Sequence, residues 1–118
     1  MRVLNKSKGT VMATRMRVAD SPWARFWGLM GRKALADGEA LLLKPCSSIH
    51  TIFMRFPIDV VFIDAHNQVV KVVSELQPFR LALAPDNTQS VLELEAGAAA
   101  KANVAPGDRL VIVDASDE

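Results

Sequence analysis

One cysteine, no tyrosine and only five phenylalanines and two tryptophans among 118 residues set the first limits on this chain. A single thiol excludes an internal disulfide and fits a reducing compartment. No stretch approaches the roughly 18 consecutive apolar residues of a membrane-spanning helix, and residues 1–10 lack the apolar core of a secretion signal. A cytoplasmic location with no membrane partner is therefore expected. The formal charge of +1 and pI near 7.9 give no large field of either sign. With so few rings to stack bases and no strong basic surface, nucleic acid is not an expected partner. No cofactor is expected, and no metal: Cys46, His50 and His66, even with Asp59 or Asp64, lack the close ligand pairs of a zinc site.

What is present is apolar. Half the residues are hydrophobic, enough for one core, and neither a repeat nor a long linker divides the chain. A single domain over 1–118 is expected, with residues 1–9 and 114–118 loosely ordered. Alternation predicts a first strand over 10–18. Ser21 and Pro22 suit a helix start, and Trp23, Phe26, Trp27 and Met30 then recur at helical spacing up to Gly31. The apolar run 39–44 predicts a buried strand. Segments 58–63 and 69–73, joined by Asp64-Ala65-His66-Asn67-Gln68, predict a hairpin with His66 at its exposed tip. Residues 76–87, with Pro78 and Pro85, read as irregular or edge structure. A strand over 91–94, a short alanine-rich helix within 96–103, and a final strand over 109–113 after Pro106-Gly107-Asp108 complete the chain. The expected fold class is mainly β (β-rich α+β): an antiparallel sandwich or partly closed barrel of about 6–8 strands with one or two short helices.

The polar residues that could carry chemistry cluster around positions 45–64. Cys46 with His50 suggests an activated thiol, and Asp59 could orient the imidazole. On one straight strand, however, the Cα atoms of Cys46 and His50 would lie roughly 13 Å apart, so a kink at Ser47-Ser48 would be required. The plainer alternative makes His50 a buried imidazole that fixes strand register, and Cys46 a small core residue. Between these stands a ligand pocket in which Cys46, Ser48, His50, Thr51 and Asp59 offer convergent polar groups in an apolar wall. Arg32 would add charge for an anionic ligand, with Arg25 and Arg80 as further cations.

Five blocks together resemble the uncharacterised family known as domain of unknown function 192: Gly28-Leu29-Met30-Gly31-Arg32, residues 46–54, residues 56–64, Val91-Leu92-Glu93-Leu94 with Gly97, and Gly107-Asp108. They run through almost the whole chain in a characteristic order. The resemblance implies a compact, mainly β domain and no agreed activity. Where many relatives carry an aromatic-methionine-lysine-asparagine-threonine type block, this chain has Ser48-Ile49-His50-Thr51. Cys46 and His50 are departures from the family pattern.

The expected function is thus a small soluble binding or accessory domain, not an enzyme, with a polar pocket centred on His50 and an unidentified small molecule or protein as partner. The alternatives are a hydrolase-like, cysteine-dependent enzyme using Cys46, His50 and Asp59, and an assembly subunit that associates through exposed strand edges. Oligomeric state is not legible in the sequence.

Overall fold

A computed structural model describes residues 1–21, 34–45, 48–50 and 56–114, with residues 48–50 described by backbone alone. The helix predicted from Ser21 and Pro22 onward, carrying both tryptophans, lies outside the described residues.

Three sheets organise the described residues. Strands β1 (Arg2–Asn5) and β2 (Thr10–Ala13) pair antiparallel, and the last strand, β10 (Leu110–Val113), joins the other side of β1. A five-stranded sheet contains β3 (Arg15–Ala19), β4 (Glu39–Leu43), β6 (Ile58–Ile63), β7 (Val69–Leu76) and β9 (Ser90–Glu95), in the order β3-β4-β9-β6-β7. The short strands β5 (Ser48–His50) and β8 (Leu81–Leu83) form an antiparallel pair of their own. One short helix, α1 (Ala98–Lys101), follows β9.

The architecture is mainly β and not a closed barrel. Among the described residues ten strands stand where about 6–8 were expected, and β3 with β4 is a parallel pair rather than part of a wholly antiparallel arrangement. Two local causes account for the difference. The strand expected over 10–18 breaks at Thr14, because the N–H groups of Thr14 and Arg15 both donate to the Gly38 carbonyl at 2.9 Å, so the chain leaves one sheet and enters another. Residues 2–5 add a further strand, the middle one of the three-stranded sheet. Val3 and Asn5 alternate inward, and the Asn5 amide donates to Asp108 Oδ2 at 2.9 Å. Lys8 Nζ and the Ala105 N–H meet the same oxygen at 2.9 Å. These bonds, that from Asn5 foremost, hold the Asp108 carboxyl below its ordinary pKa.

Gly38 sits at φ +80°, and a Cβ there would collide with the Thr14 hydroxyl. Gly38→Ala is expected to cost about 1–3 kcal/mol from the backbone conformation and the clash. Urea unfolding checks this, and an unchanged midpoint would contradict it.

The five-stranded sheet is covered on both faces. Along β4, β6 and β9, the side chains of Ala40, Leu42, Val61, Ile63, Leu92 and Leu94 turn to one face, where the three-stranded sheet and α1 add Val3, Met12, Leu110 and Ala99. Leu41, Leu43, Ile58, Val60, Phe62 and Val91 turn to the other, where Leu35 and Ala82 of β8 join them. This is the period-2 alternation of a pleated strand with both sides dry. Full burial of each of the larger of these side chains contributes about 1.5–3 kcal/mol.

The β6–β7 hairpin forms as expected, with Ile63 opposite Val69. Asp64 Oδ1 accepts the N–H groups of His66 and Gln68 at 2.8 and 2.9 Å, Asn67 takes φ 61°, and His66 is exposed.

Candidate functional site

Of the six residues expected to line a site, Cys46, Thr51 and Arg32 lie outside the described residues. Ser48 and His50 are placed by their backbones in β5, where Ser48 stands opposite Leu83, Ile49 opposite Ala82 and His50 opposite Leu81. Asp59 is fully described. It is buried in β6 on the face closed by α1, where its Oδ1 accepts the Glu75 N–H at 2.9 Å and its Oδ2 accepts those of Gly97 and Ala99 at 3.0 and 2.9 Å. Both carboxylate oxygens are thus occupied by backbone, clamping β7 and the start of α1 to β6. Any orienting bond to an imidazole would compete with these.

The opposite face holds a residue that sequence reasoning did not single out. Glu93 lies in β9, the central strand of the sheet, between Leu41 of β4 and Val60 of β6. Strand alternation puts it on the side of Val91, among Leu41, Val60 and Phe62. Its relative exposure is 3%. Burial raises its pKa from 4.5 to about 8, so at neutral pH the group is mostly a protonated acid. Burying a carboxyl in an apolar layer costs stability unless it is hydrogen-bonded, and such groups concentrate where ligands bind.

The short β5–β8 ladder belongs to this same face. Ala82 packs into the cluster that contains Val91 and Phe62. Lys71 of β7 donates from Nζ to the Leu83 carbonyl at 3.1 Å, and the same ammonium lies 5.7 Å from the Phe62 ring centroid. The sheet therefore holds β8, and with it the backbone of Ser48–His50, over the Glu93 side. Leu81 and Leu83 project outward and are more than half exposed, as is Phe79, which takes φ 61°.

The signal that could have marked Glu93 is its context rather than its local pattern. Alone, Leu92 and Leu94 against Glu93 and Glu95 read as a strand with one wet face. The segments that become its neighbours, Glu-Ala-Leu-Leu-Leu and Ile-Asp-Val-Val-Phe-Ile, are apolar on both faces and belong in the middle of a covered sheet. A strand lying between two such strands has no wet face. Among the described residues, no group of three or more His, Cys, Asp and Glu could hold a metal, and no helix is long and apolar enough to cross a membrane.

The likeness to known proteins covers nearly the whole fold. A UPF0127 protein of Pyrococcus furiosus is 33% identical over 111 residues, which span 92% of this chain and 95% of that protein. Two solved structures superpose closely at 25% identity. One is a protein of unknown function from Novosphingobium aromaticivorans, with a TM-score of 0.81 over 94% of this chain and 82% of that one. The other, from Sinorhizobium meliloti, is described as a candidate transcription regulator, with a TM-score of 0.80 over 93% of this chain and 89% of that one. Residues 3–112 match the family described as an uncharacterised ACR, domain of unknown function 192, and the chain belongs to that family.

Proposed function

We propose that this chain is a binding domain whose ligand site lies over Glu93, on the sheet face that β5 and β8 cover. The observation that carries the reading is the Glu93 carboxyl itself, buried in the middle of the central strand with its pKa raised by that burial. A ligand that supplies a polar group to this carboxyl would relieve the cost of burying it. Because burial keeps the acid protonated at neutral pH, the ligand it suits is uncharged and offers a hydrogen-bond acceptor from an otherwise apolar body.

His50, Ser48, Cys46 and Thr51 enter this proposal as polar groups of the segment running through β5, and Arg32 as one that precedes the buried Leu35 by three positions. A binding role is preferred to the cysteine-dependent enzyme because Asp59, the third member of that set, is engaged by three backbone N–H groups on the α1 face. A cytoplasmic setting is part of the same proposal. With a formal charge of +1, the chain lends a nucleic-acid partner no electrostatic support.

The test is a screen of small uncharged amides and esters against isotope-labelled protein, read as amide shifts. Hits are expected to move the signals of residues 91–93 and 48–50, and Glu93→Ala is expected to weaken them roughly tenfold, the worth of one buried hydrogen bond. Hits that bind elsewhere, or that bind Glu93→Ala equally well, would count against the proposal.

A further inference from the structure

We propose a second, separate site, for a phosphate monoester, where the ends of β1, β7 and β10 meet. Two ladders join at Arg109, the residue before β10. On one side the β1–β10 register, with Asn5 opposite Leu110, continues to Lys6, whose N–H donates to the Arg109 carbonyl at 2.9 Å. On the other side Gln68 bridges Arg109 antiparallel, flanked by bonds from the Val69 N–H to the Asp108 carbonyl and from the Leu110 N–H to the Asn67 carbonyl, both at 2.8 Å. Residues directly opposite on neighbouring strands put their side chains on one face, with Cα atoms about 5.5 Å apart where they exchange bonds and about 4.5 Å where they do not. Lys6, Arg109 and Gln68 therefore stand abreast. Asn5 and Leu110 are buried, so alternation turns this row outward, with Lys6 and Arg109 exposed and Gln68 half-buried.

Like charges directly opposite each other destabilise a sheet. Lys6 and Arg109 are such a pair, and among the described residues neither side chain enters an ion pair. The acids beside the row in sequence serve other donors. Asp108 meets the inward Asn5 amide, Lys8 and the Ala105 N–H, while Asp64 Oδ1 accepts the N–H groups of His66 and Gln68. The β1–β2 turn adds a hydroxyl to the cations. Ser7 Oγ accepts the Arg109 N–H at 2.9 Å, which leaves its own proton to donate. An ammonium, a guanidinium, a side-chain amide and a hydroxyl proton thus gather along about 10 Å, two strand spacings. Two cations with neutral donors between and beside them suit a doubly charged group rich in oxygen better than a single carboxylate. A phosphate monoester carries about −1.5 to −2 charges at pH 7 and three acceptor oxygens. Arginine and lysine both bind that group well, and on an open face its substituent is free to point into solvent.

Ethyl phosphate is the probe, with inorganic phosphate as a second source of the same group and acetate as the singly charged control, all at pH 8 and low salt. Titrated into isotope-labelled full-length protein, both phosphates are expected to shift the amide signals of Lys6, Ser7, Gln68 and Arg109. Acetate is expected to bind roughly tenfold more weakly, the worth of a charge-assisted contact. Lys6→Ala and Arg109→Ala, both at exposed positions, are each expected to reduce ethyl phosphate affinity by a similar factor while leaving the rest of the amide spectrum in place. Without ligand, Lys6→Ala is expected to unfold at a urea concentration no lower than the parent, because it removes one of two opposed charges. A less stable Lys6→Ala would show that the ammonium already has a partner and would overturn the proposal. So would absence of shifts at this row, equal binding of acetate, binding of inorganic phosphate alone, or unchanged affinity in both variants. Shifts confined to residues 91–93 would overturn it while leaving the Glu93 site standing.

Discussion

The protein is expected to lose stability as pH rises from about 4.5 toward 8, and the Glu93→Gln variant is expected to lose far less. The sign follows from linkage. Folding raises the Glu93 pKa from 4.5 to about 8, so the folded state holds its proton more tightly than the unfolded state does. The stabilisation is fully present below about 4.5, falls while the unfolded chain ionises and the folded one does not, and is gone above about 8. A shift of this size corresponds to about 5 kcal/mol across the window. The carboxylate form of Glu93 would be a charge buried among Leu41, Val60 and Phe62, whereas glutamine keeps the shape without the ionisation. Urea unfolding of both proteins at pH 5 and pH 9 checks this, and parallel pH dependences would contradict it. Asp108 does not confuse the comparison. Its pKa is lowered, so its contribution is present above the ordinary carboxylate range and disappears only as pH falls below it.

Asp59→Ala is expected to destabilise the fold by about 4 kcal/mol, because three backbone N–H groups lose a buried acceptor. Those of Glu75, Gly97 and Ala99 lie at the end of β7, at the residue before α1 and in the helix itself, so one carboxylate joins the strand end to the helix start. Asp59→Asn keeps one carbonyl acceptor and should lose less. The expected signature is faster hydrogen exchange at Glu75, Gly97 and Ala99 in the asparagine variant, with the β1–β10 pairing little affected. An alanine variant as stable as the parent would show that these bonds do not hold the face together.

Much of the fold was legible because its signals are local. Asp64 with Asn67 marks the β6–β7 turn through bonds the side chain makes to its own neighbourhood, and the run Glu39–Leu43 is apolar enough for a buried strand whatever its neighbours are. The first strand was not legible. Its four residues, Arg-Val-Leu-Asn, form a strand only because β2 and β10 flank them and Asp108, from the far end of the chain, accepts from Asn5. The same holds for the break at Thr14, set by a carbonyl from Gly38.

Of the candidate site, the sequence carries the polar residues themselves but not their placement in the sheet. The sequence shows that polar groups gather near β5 and β6, but not that Asp59 and Glu93 face opposite sides of one sheet. Which side each occupies follows from strand order, through the non-sequential pairing of β9 with both β4 and β6. Asp59 turned out to be committed to backbone donors, and Glu93, which reads as a surface residue in its own segment, turned out to be enclosed.

The most direct measurement is a carbon-13 titration of the Glu93 side-chain carboxyl in the folded, ligand-free protein. A midpoint near 8 is expected of an acid enclosed in an apolar layer. A midpoint near 4.5 would mean that Glu93 is solvated or already paired, and the binding site proposed over it would lose its basis.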